Sequence, residues 1–399
     1  MTTTPSAAPS DPPGRRTGWL VLTASERGAS HAAVRSPNQD AVATERAGAE
    51  GVVAAVADGH GHPRHLRSAR GSKLAVAVGC QVAQELADRL EAGTAIFSQP
   101  DPPATAAATA DEISRLTEEF LVPAVVSRWR EAVLADVKAD PFTQAEQAQR
   151  HSGDDATIAY GSTLLLCMVL HDWLILAQIG DGDVIGVRAD GRAVEPVPAD
   201  PQLDGLVTTS LCGSDPRADF RVAAVDAAQN QLRAVLLATD GYGNAQVVDE
   251  WPKAFSEDLA GMLRDRDVNW LASQLPSWAA RCASSDGSAD DTTVALLISP
   301  ASARPPAGGQ GEDADAGSEE ITIPAVPRAD TVPVQLPVPQ PPIDQVTTRQ
   351  LAHRTAPEPV ITERSIPRAK KDTASHQSSD DPGDEPPTTA WRPPRTGER

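Results

Sequence analysis

The chain contains many short runs of apolar residues, rich in β-branched side chains, that are separated by polar turn segments. A short continuous run bounded by turn residues predicts a strand that is buried in a sheet. Because successive runs are often only a few residues apart, they favour antiparallel pairing over parallel crossovers. The predicted strands span residues 20–25, 41–44, 52–56, 163–169, 173–179, 184–187, 234–238 and 292–298.

Two stretches in the first half of the chain carry apolar side chains at helical spacing. Between residues 72 and 90 such side chains recur every four positions, which predicts an amphipathic helix, and Gly93 suits its C-terminal end. Residues 111–139 have the same character, although Pro123 is expected to kink or break that helix.

A further helix is predicted over residues 268–283, bent or interrupted at Pro276. Residues 98–110 are expected to be a connector rich in Pro, Ala and Thr, and residues 141–156 a mobile loop. The order of strands, then helices, then strands again predicts an α+β fold with two layered sheets.

The two ends of the chain differ in composition from the part between them. Residues 1–16 are small, polar and proline-bearing, and residues 300–399 are dominated by Pro, acidic residues, Ser, Thr and Ala. Such segments hold too little apolar surface to offset the entropy lost on ordering, so both are predicted to be disordered around a folded domain at 17–299. The proline-rich piece at 332–342 is interpreted either as a polyproline II ligand that recruits partners or as a plain solvated tail.

Charge and cysteine usage exclude several classes of protein. The formal net charge of −20 argues against nucleic-acid binding through bulk charge. The four cysteines have no CxxC spacing, which fits neither a zinc ribbon nor a disulfide framework. No run reaches the length of a membrane span, and the N-terminus lacks the order of a signal peptide, so a cytoplasmic protein without a membrane partner is expected.

Acidic residues stand where several predicted strands begin or end. Asp58 follows the apolar run 51–56, Asp240 follows 234–238, and Asp40 and Asp290 precede other strands. Acids placed in this way can converge at one edge of a sheet core, and hard cations such as Mg²⁺ and Mn²⁺ need oxygen clusters of that kind. Two divalent ions held there could activate water and clamp a phosphoryl group.

The motifs, taken in order, resemble those of the metal-dependent type 2C protein phosphatases over roughly residues 18 to 299. They are Arg35 with Asn38-Gln39-Asp40, Ala57-Asp58-Gly59-His60-Gly61, Gly161-Ser162-Thr163, Gly180-Asp181, Thr239-Asp240-Gly241 and Asp290-Asp291-x-Thr293. The resemblance implies a β-sandwich of two antiparallel sheets flanked by α-helices on both sides. It also implies hydrolysis of phosphoserine and phosphothreonine with two Mn²⁺ or Mg²⁺ ions.

The resemblance assigns metal roles residue by residue. Asp58 corresponds to the acid that bridges both ions, and Gly59 to the residue that adds its carbonyl oxygen. Asp240 and Asp290 correspond to ligands of the second ion. Asp40 corresponds to a ligand that acts through water.

Further positions correspond to catalytic and accessory roles. Arg35 matches the residue that holds the phosphate in bidentate fashion. His60 matches a residue proposed to protonate the leaving alkoxide, and a surface loop histidine is the alternative interpretation. Asp181 matches a ligand of a third ion, but Asn244 stands where its acidic companion is usual, and a neutral amide holds a divalent ion less well.

Two other departures concern residues beside the metal ligands. His62 stands where glycine is common, and Asp291 replaces a common asparagine next to Asp290. The prediction is therefore a serine/threonine phosphoprotein phosphatase that opposes a Ser/Thr kinase. The alternatives are a catalytically weak or inactive phosphatase-like binding module, or an enzyme whose tail recruits its partners.

Overall fold

The structure is a computed structural model that describes residues 18–93, 103–201, 208–247 and 250–302. The predicted disordered ends, residues 1–16 and all but the first three residues of 300–399, lie outside the described residues. Nothing in the structure therefore bears on those two predictions.

The strands of the described residues form two antiparallel sheets. The first sheet has the order β1-β10-β9-β6-β7 and the second has the order β2-β3-β4-β5-β8. The strands are β1 Leu20–Glu26, β2 Ala41–Ala47, β3 Gly51–Ala57, β4 Leu164–Leu170, β5 Trp173–Ile179, β6 Asp183–Arg188, β7 Ala193–Val194, β8 Arg221–Asp226, β9 Leu232–Ala238 and β10 Thr292–Ile298.

The helices pack outside the sheets. In the described residues they are α1 Ala29–Ala33, α2 Ser68–Ala92, α3 Pro103–Leu116, α4 Val122–Ala139, α5 Gln144–Gln149, α6 Pro216–Asp219, α7 Asp240–Gly243, α8 Trp251–Asp265 and α9 Val268–Cys282. No helix in this part of the chain combines the length and the apolar character that crossing a membrane requires.

Both faces of the second sheet are buried at its central strands β3, β4 and β5, which explains why these strands read as continuous apolar runs. In β3, Val53, Ala55 and Ala57 belong to the cluster that packs against α2 and α4. The alternating residues Ala54 and Val56 belong to the cluster between the two sheets. Because side chains alternate between faces, a strand between two apolar layers needs apolar residues at every position.

The first sheet is covered in the same way on its outer face. Leu236 and Leu296 face a cluster that includes Leu259 of α8 and Leu271 of α9. The layers therefore run helices, second sheet, first sheet, helices. This confirms the predicted β-sandwich of two antiparallel sheets flanked by helices on both sides.

The structure specifies the helical predictions at three points. Helix α3 begins at Pro103, inside the segment that was expected to be a connector. Pro123 does not break the helical segment, because one π-helical turn at Thr117–Leu121 leads into α4 and places the proline in its first turn, where its missing N–H is tolerated. Pro276 lies inside α9, which is unbroken from Val268 to Cys282.

The expected loop at 141–156 contains α5. Its start is stabilised by a capping box, in which the Glu146 N–H donates to Thr143 Oγ1 at 3.2 Å and the Thr143 N–H donates to Glu146 Oε2 at 2.7 Å. Glu146 also accepts from the buried Arg67 guanidinium at 2.8 and 2.9 Å, which ties α5 to the loop that follows β3.

Helix α2 passes very close to the segment that precedes β4. A Cβ atom added to Gly71 would overlap the carbonyl oxygen of Tyr160, so only glycine allows the two backbones to approach this closely. The Trp129 indole N–H donates to the Gly71 carbonyl at 3.1 Å and fixes the same contact from α4.

We expect Gly71→Ala to lower the free energy of unfolding by about 1–3 kcal/mol or more, because the methyl group must push α2 away from Tyr160. Urea denaturation monitored by circular dichroism measures this. The matched control is Gly261→Ala in α8, whose added methyl group would meet only the end of Arg264 at 3.8 Å. That change should leave stability unchanged or raise it by up to about 1 kcal/mol. Equal effects of the two substitutions would contradict the close approach.

Candidate active site

Two acids lie at one end of the second sheet. Asp40 directly precedes β2 and Asp58 directly follows β3, and the register pairs Ala41 with Ala57. Because the two strands are antiparallel, the start of one and the end of the other meet at the same edge. The register therefore brings Asp40 and Asp58 together, as the sequence predicts.

The first sheet adds acids from three more strand ends. Asp240 follows β9, Asp290 precedes β10, and Asp183 opens β6 opposite Ala238. Asp181 lies just before β6. We refer to Asp40, Asp58, Asp181, Asp183, Asp240 and Asp290 as the aspartate cluster.

The electrostatics of Asp58 show that the two sheet ends face each other. Burial raises the pKa of Asp58 well above its usual value, and the negative charges of Asp40, Asp240, Asp290 and Asp181 raise it further. The acids of both sheets are thus close enough to repel one another. The Asp58 carboxylate is therefore costly to ionise here without a cation.

Asp40 is a buried member of the aspartate cluster. Burial raises its pKa to about 7, and the charges of Asp291 and Asp240 add to that effect. A hydrogen bond from Thr239 Oγ1 to Asp40 Oδ2, 2.8 Å long, works in the opposite direction and fixes the orientation of the carboxylate. The contact joins the end of β9 to the start of β2.

Asp183 is a cluster member that the sequence analysis did not select. Burial raises its pKa to about 7, and the charges of Asp240, Glu195 and Asp181 act in the same direction. The sequence feature that indicates Asp183 is its position, two residues after Asp181 and at the start of a strand. That place puts it at the same sheet end as Asp240.

Gly59 occupies a position that no other residue could fill without rearrangement. An added Cβ atom would lie 2.6 Å from the Gln39 carbonyl oxygen and 2.8 Å from that of Ser68. The preceding residue is fixed by two hydrogen bonds, from the Asp58 N–H to Thr163 Oγ1 and from the Thr163 N–H to the Asp58 carbonyl, both 2.9 Å long. This rigid backbone holds the Asp58 carboxylate in one place.

His60 is half-buried rather than a freely exposed loop residue. Its Nε2 lies 2.7 Å from Ser210 Oγ, which in turn lies 3.1 Å from the Ser162 carbonyl. A carbonyl only accepts, so both contacts are satisfied when Ser210 donates to Ser162 and His60 Nε2 donates to Ser210. Burial and the neighbouring His65 lower the pKa of His60 to about 4, so the imidazole is neutral at neutral pH. His62, which stands where glycine is common in the family, has an exposed side chain.

Asp291 has a structural role that explains why a carboxylate stands beside Asp290. Its Oδ1 accepts from the Gly28 N–H at 2.7 Å and its Oδ2 accepts from the Gln39 N–H at 2.6 Å. His31 Nδ1 lies 2.8 Å from the same Oδ2, without the alignment of a hydrogen bond. The buried Asp291 carboxylate therefore joins the loop after β1 and the loop before β2 to the start of β10.

Arg35 is not held against the aspartate cluster. It is exposed, with a left-handed backbone (φ 58°), and within the described residues no hydrogen bond or ion pair of its side chain is seen. The structure thus places Arg35 on the loop that leads to Asp40, where its side chain contacts no acid of the described residues through a hydrogen bond or ion pair. The predicted role in phosphate binding stays a prediction.

Asp181 and Asn244, the two positions that the resemblance relates to a third ion, form hydrogen bonds with other side chains of the protein. The Thr208 hydroxyl donates to Asp181 Oδ2, and the Asn244 amide donates to Asp240 Oδ2 at 3.0 Å. The Asn244 side chain thus hydrogen-bonds the carboxylate of Asp240 instead of adding a second charge beside it.

The donor set of the aspartate cluster suits Mg²⁺ or Mn²⁺. Within the described ranges, no three His, Cys, Asp or Glu side chains already stand in the arrangement that coordinates a metal ion. The cluster nevertheless offers only hard oxygen donors, and its pKa values are raised first by burial and then by repulsion among the acids, which a divalent cation would relieve. The residues therefore fit the predicted cofactor.

Comparison with known proteins gives a family match and several structural likenesses. Residues 27–278, more than half of the chain, match the family model described as protein phosphatase 2C. No curated protein matches the chain.

Three solved structures illustrate the likenesses. The S. agalactiae serine/threonine phosphatase is 16% identical with a TM-score of 0.45, over 70% of this chain and 99% of that one. Serine/threonine phosphatase Stp1 from Staphylococcus aureus is 13% identical with a TM-score of 0.42, over 72% and 99%. PppA from Pseudomonas aeruginosa, a regulatory component of T6SS, is 18% identical with a TM-score of 0.39, over 71% and 98%.

We expect Asp291→Asn to lower the free energy of unfolding by about 1–3 kcal/mol, because an amide offers one acceptor oxygen where two backbone N–H groups need acceptors. Chemical denaturation measures this. The matched control is Asp290→Asn, which removes charge from the cluster at a partly exposed neighbouring position and should not destabilise the fold. Equal losses for both variants would show that Asp291 does not hold the loops.

We also expect the stability of the metal-free protein to fall as the pH rises from about 5 to about 7. Asp40 and Asp183 have pKa values near 7 and Asp240 near 6 in the folded protein, against 3.8 for an unperturbed aspartate. The folded state therefore binds protons more tightly over this range, and that advantage disappears as the cluster ionises. Thermal unfolding in EDTA across this pH range measures the effect.

Asp40→Asn should flatten this pH dependence and raise the melting temperature at pH 7, because it removes one of the buried charges. Asp258→Asn, at an exposed position of α8, is the control and should follow the wild type. A melting temperature of Asp40→Asn that depends on pH as steeply as that of the wild type would contradict the electrostatic interpretation.

Proposed function

The chain belongs to the protein phosphatase 2C family, and on that basis we propose that it is a serine/threonine phosphoprotein phosphatase that hydrolyses phosphomonoesters with metal-activated water. The observation that carries the proposal is the convergence of acids from both sheets on Asp58. Repulsion among clustered carboxylates destabilises the folded state, and bound divalent cations would offset that repulsion.

Two Mn²⁺ or Mg²⁺ ions, when bound, would generate the nucleophile from water and neutralise charge on the phosphoryl group. Asp58 would hold both ions, and the Gly59 carbonyl would add a ligand. Asp240 and Asp290 would complete the second ion's protein ligands, and Asp40 would orient a bound water.

The chain's own hydrogen bonds would preorganise these ligands. Thr163 fixes the backbone of Asp58, and Thr239 fixes the Asp40 carboxylate. The Arg35 guanidinium would donate two hydrogen bonds to the non-bridging phosphate oxygens. These ligands and the Arg35 guanidinium would together position the ester for in-line attack.

The leaving serine or threonine oxygen needs a proton. His60 is neutral at neutral pH because its pKa is lowered to about 4, so few molecules carry the proton that a general acid must give. We therefore assign this proton to water, with His60 as the second candidate. The hydrogen bond to Ser210 keeps the imidazole in one orientation in either case.

The substrates we propose are phosphoserine and phosphothreonine proteins made by an opposing Ser/Thr kinase. The cytoplasmic location and the lack of nucleic-acid or membrane partners stay predictions. Recruitment of partners by the proline-rich tail is a hypothesis about residues outside the described ranges.

Hydrolysis of p-nitrophenyl phosphate by the full chain, with Mn²⁺ titrated against EDTA, tests the proposal. We expect metal-dependent turnover that falls by more than about a hundredfold in Asp58→Ala and Asp240→Ala, because loss of an outer-shell partner alone typically costs 10–100-fold. Calorimetric titration with Mn²⁺ should show weakened binding in the same variants. Phosphothreonine peptides should be hydrolysed faster than phosphotyrosine peptides.

The control is Asp258→Ala, which should keep both Mn²⁺ binding and turnover. Wild-type protein that binds Mn²⁺ but turns over no phosphoester would overturn the enzymatic proposal and support a phosphatase-like binding module. Near-normal turnover in Asp58→Ala would contradict the assigned metal ligands.

A further inference from the structure

A cavity of about 380 Å³ lies between α4 and the segment that leads into α6. Its α4 side presents Val126 and Ser127, together with Arg130 one helical turn later on the same face. Its other side is formed by residues 214–217. We refer to it as the α4–α6 cavity. None of the residues assigned to the metal centre lines it.

Arg130 is the unusual member of this lining. Its Nε is buried and has no hydrogen-bond partner. Within the described residues its guanidinium forms no ion pair, whereas Arg128, two positions earlier, forms two hydrogen bonds with Glu85. The positive charge of Arg130 also acts on Asp155. Because Arg130 lines the cavity, an anion bound there would accept charge-assisted hydrogen bonds from the part of the guanidinium that faces it.

Arg217 adds a second positive charge to the α4–α6 cavity. It is exposed, and no hydrogen bond or ion pair of its side chain is seen among the described residues. Asp215 is the one carboxylate among the lining residues, and Ser214 offers an exposed hydroxyl. The lining is therefore net positive on a chain whose formal net charge is −20. Such a contrast favours a negatively charged ligand over a neutral one.

The cavity is connected to the candidate active site by a short stretch of chain. Ser210 contacts His60 and also lies 3.3 Å from Cys212 Sγ, and the positive charges of Arg64 and Arg130 both act on Cys212. Ser214 is four positions beyond Ser210, so the two residues lie at most about 14 Å apart when the chain is extended. A peptide bound at the metal centre would reach the cavity with a residue about three to five positions from its phosphorylated residue.

We propose that the α4–α6 cavity binds an anionic side chain of the phosphoprotein substrate, either a carboxylate or a second phosphate, through Arg130 and Arg217. This inference rests on the proposed phosphatase function. It identifies the preferred substrates as phosphoproteins with an acidic or phosphorylated residue a few positions from the phosphoserine or phosphothreonine that is hydrolysed.

The test uses the full chain with Mn²⁺ and three phosphothreonine peptides. At the third to fifth positions on either side of the phosphothreonine, the first peptide carries Glu, the second a non-hydrolysable phosphonate analogue of phosphoserine, and the third Ala. We expect the KM of wild type to be about tenfold lower for the Glu or phosphonate peptide than for the Ala peptide, as a charge-assisted hydrogen bond would give. Arg130→Gln and Arg217→Gln should remove this difference without changing kcat.

The relative KM values of the Glu and phosphonate peptides distinguish the two sources of the anion. A lower KM for the Glu peptide assigns the cavity to carboxylates, and a lower KM for the phosphonate peptide assigns it to a second phosphate. p-Nitrophenyl phosphate is too small to reach the cavity, so its hydrolysis should be unchanged in both variants.

The control variant is Arg115→Gln in α3, where the arginine is exposed and paired with Glu112 and Glu119. Thermal unfolding checks that Arg130→Gln is folded, and Arg217→Gln changes an exposed side chain. The proposal is overturned if both variants keep the wild-type preference, or if they raise the KM of the Ala peptide equally.

A binding experiment separates failure of this proposal from failure of the proposed function. Fluorescence anisotropy in EDTA measures binding of the labelled phosphonate peptide, in a form with serine in place of phosphothreonine, without any turnover. Binding that weakens in Arg130→Gln and Arg217→Gln supports the cavity even if the wild type hydrolyses nothing. Binding that is the same in the wild type and both variants overturns it even if the enzyme is active.

Discussion

The mutual repulsion of the aspartate cluster is the constraint on which this structure depends. Asp58 is surrounded by the charges of four other acids, and burial weakens the ability of water to screen them. The positions of these acids are set by strands whose apolar side chains are buried on both faces, so the packing of the sandwich core offsets the electrostatic cost at its end.

The hydrogen bonds around the cluster follow from the same constraint. Thr239 holds Asp40 across the gap between the two sheets, and Asp291 holds two loops against the start of β10. These contacts are made by groups that are not themselves proposed to bind metal. The geometry of the site is thus fixed from outside the ligand set, and divalent cations would need to reorganise the fold very little.

The sequence predicted the strands well where both faces of a strand are buried, because an unbroken apolar run has few other interpretations. It missed β8, whose residues are all partly exposed and carry no clear period, and α8, although Pro252 near the start of α8 is typical of a helix N-terminus. The ends of predicted strands indicated four of the six cluster acids, and the family resemblance added Asp181. Asp183 and the roles of Asp291 and Arg130 depend on contacts between segments far apart in the chain, which a local pattern does not contain.

The pairing of β1 with β10 has a consequence for how the protein is made. Ser25 and Thr293, whose hydroxyls lie 2.7 Å apart, are separated by 268 positions along the chain. The second sheet uses only strands from residues 41 to 226 and can pair while the ribosome is still extending the chain. The first sheet cannot be completed until its last strand has been synthesised. We therefore expect Asp290 to join the other acids in the final step of folding, so that no truncated nascent chain exposes a complete set of ligands.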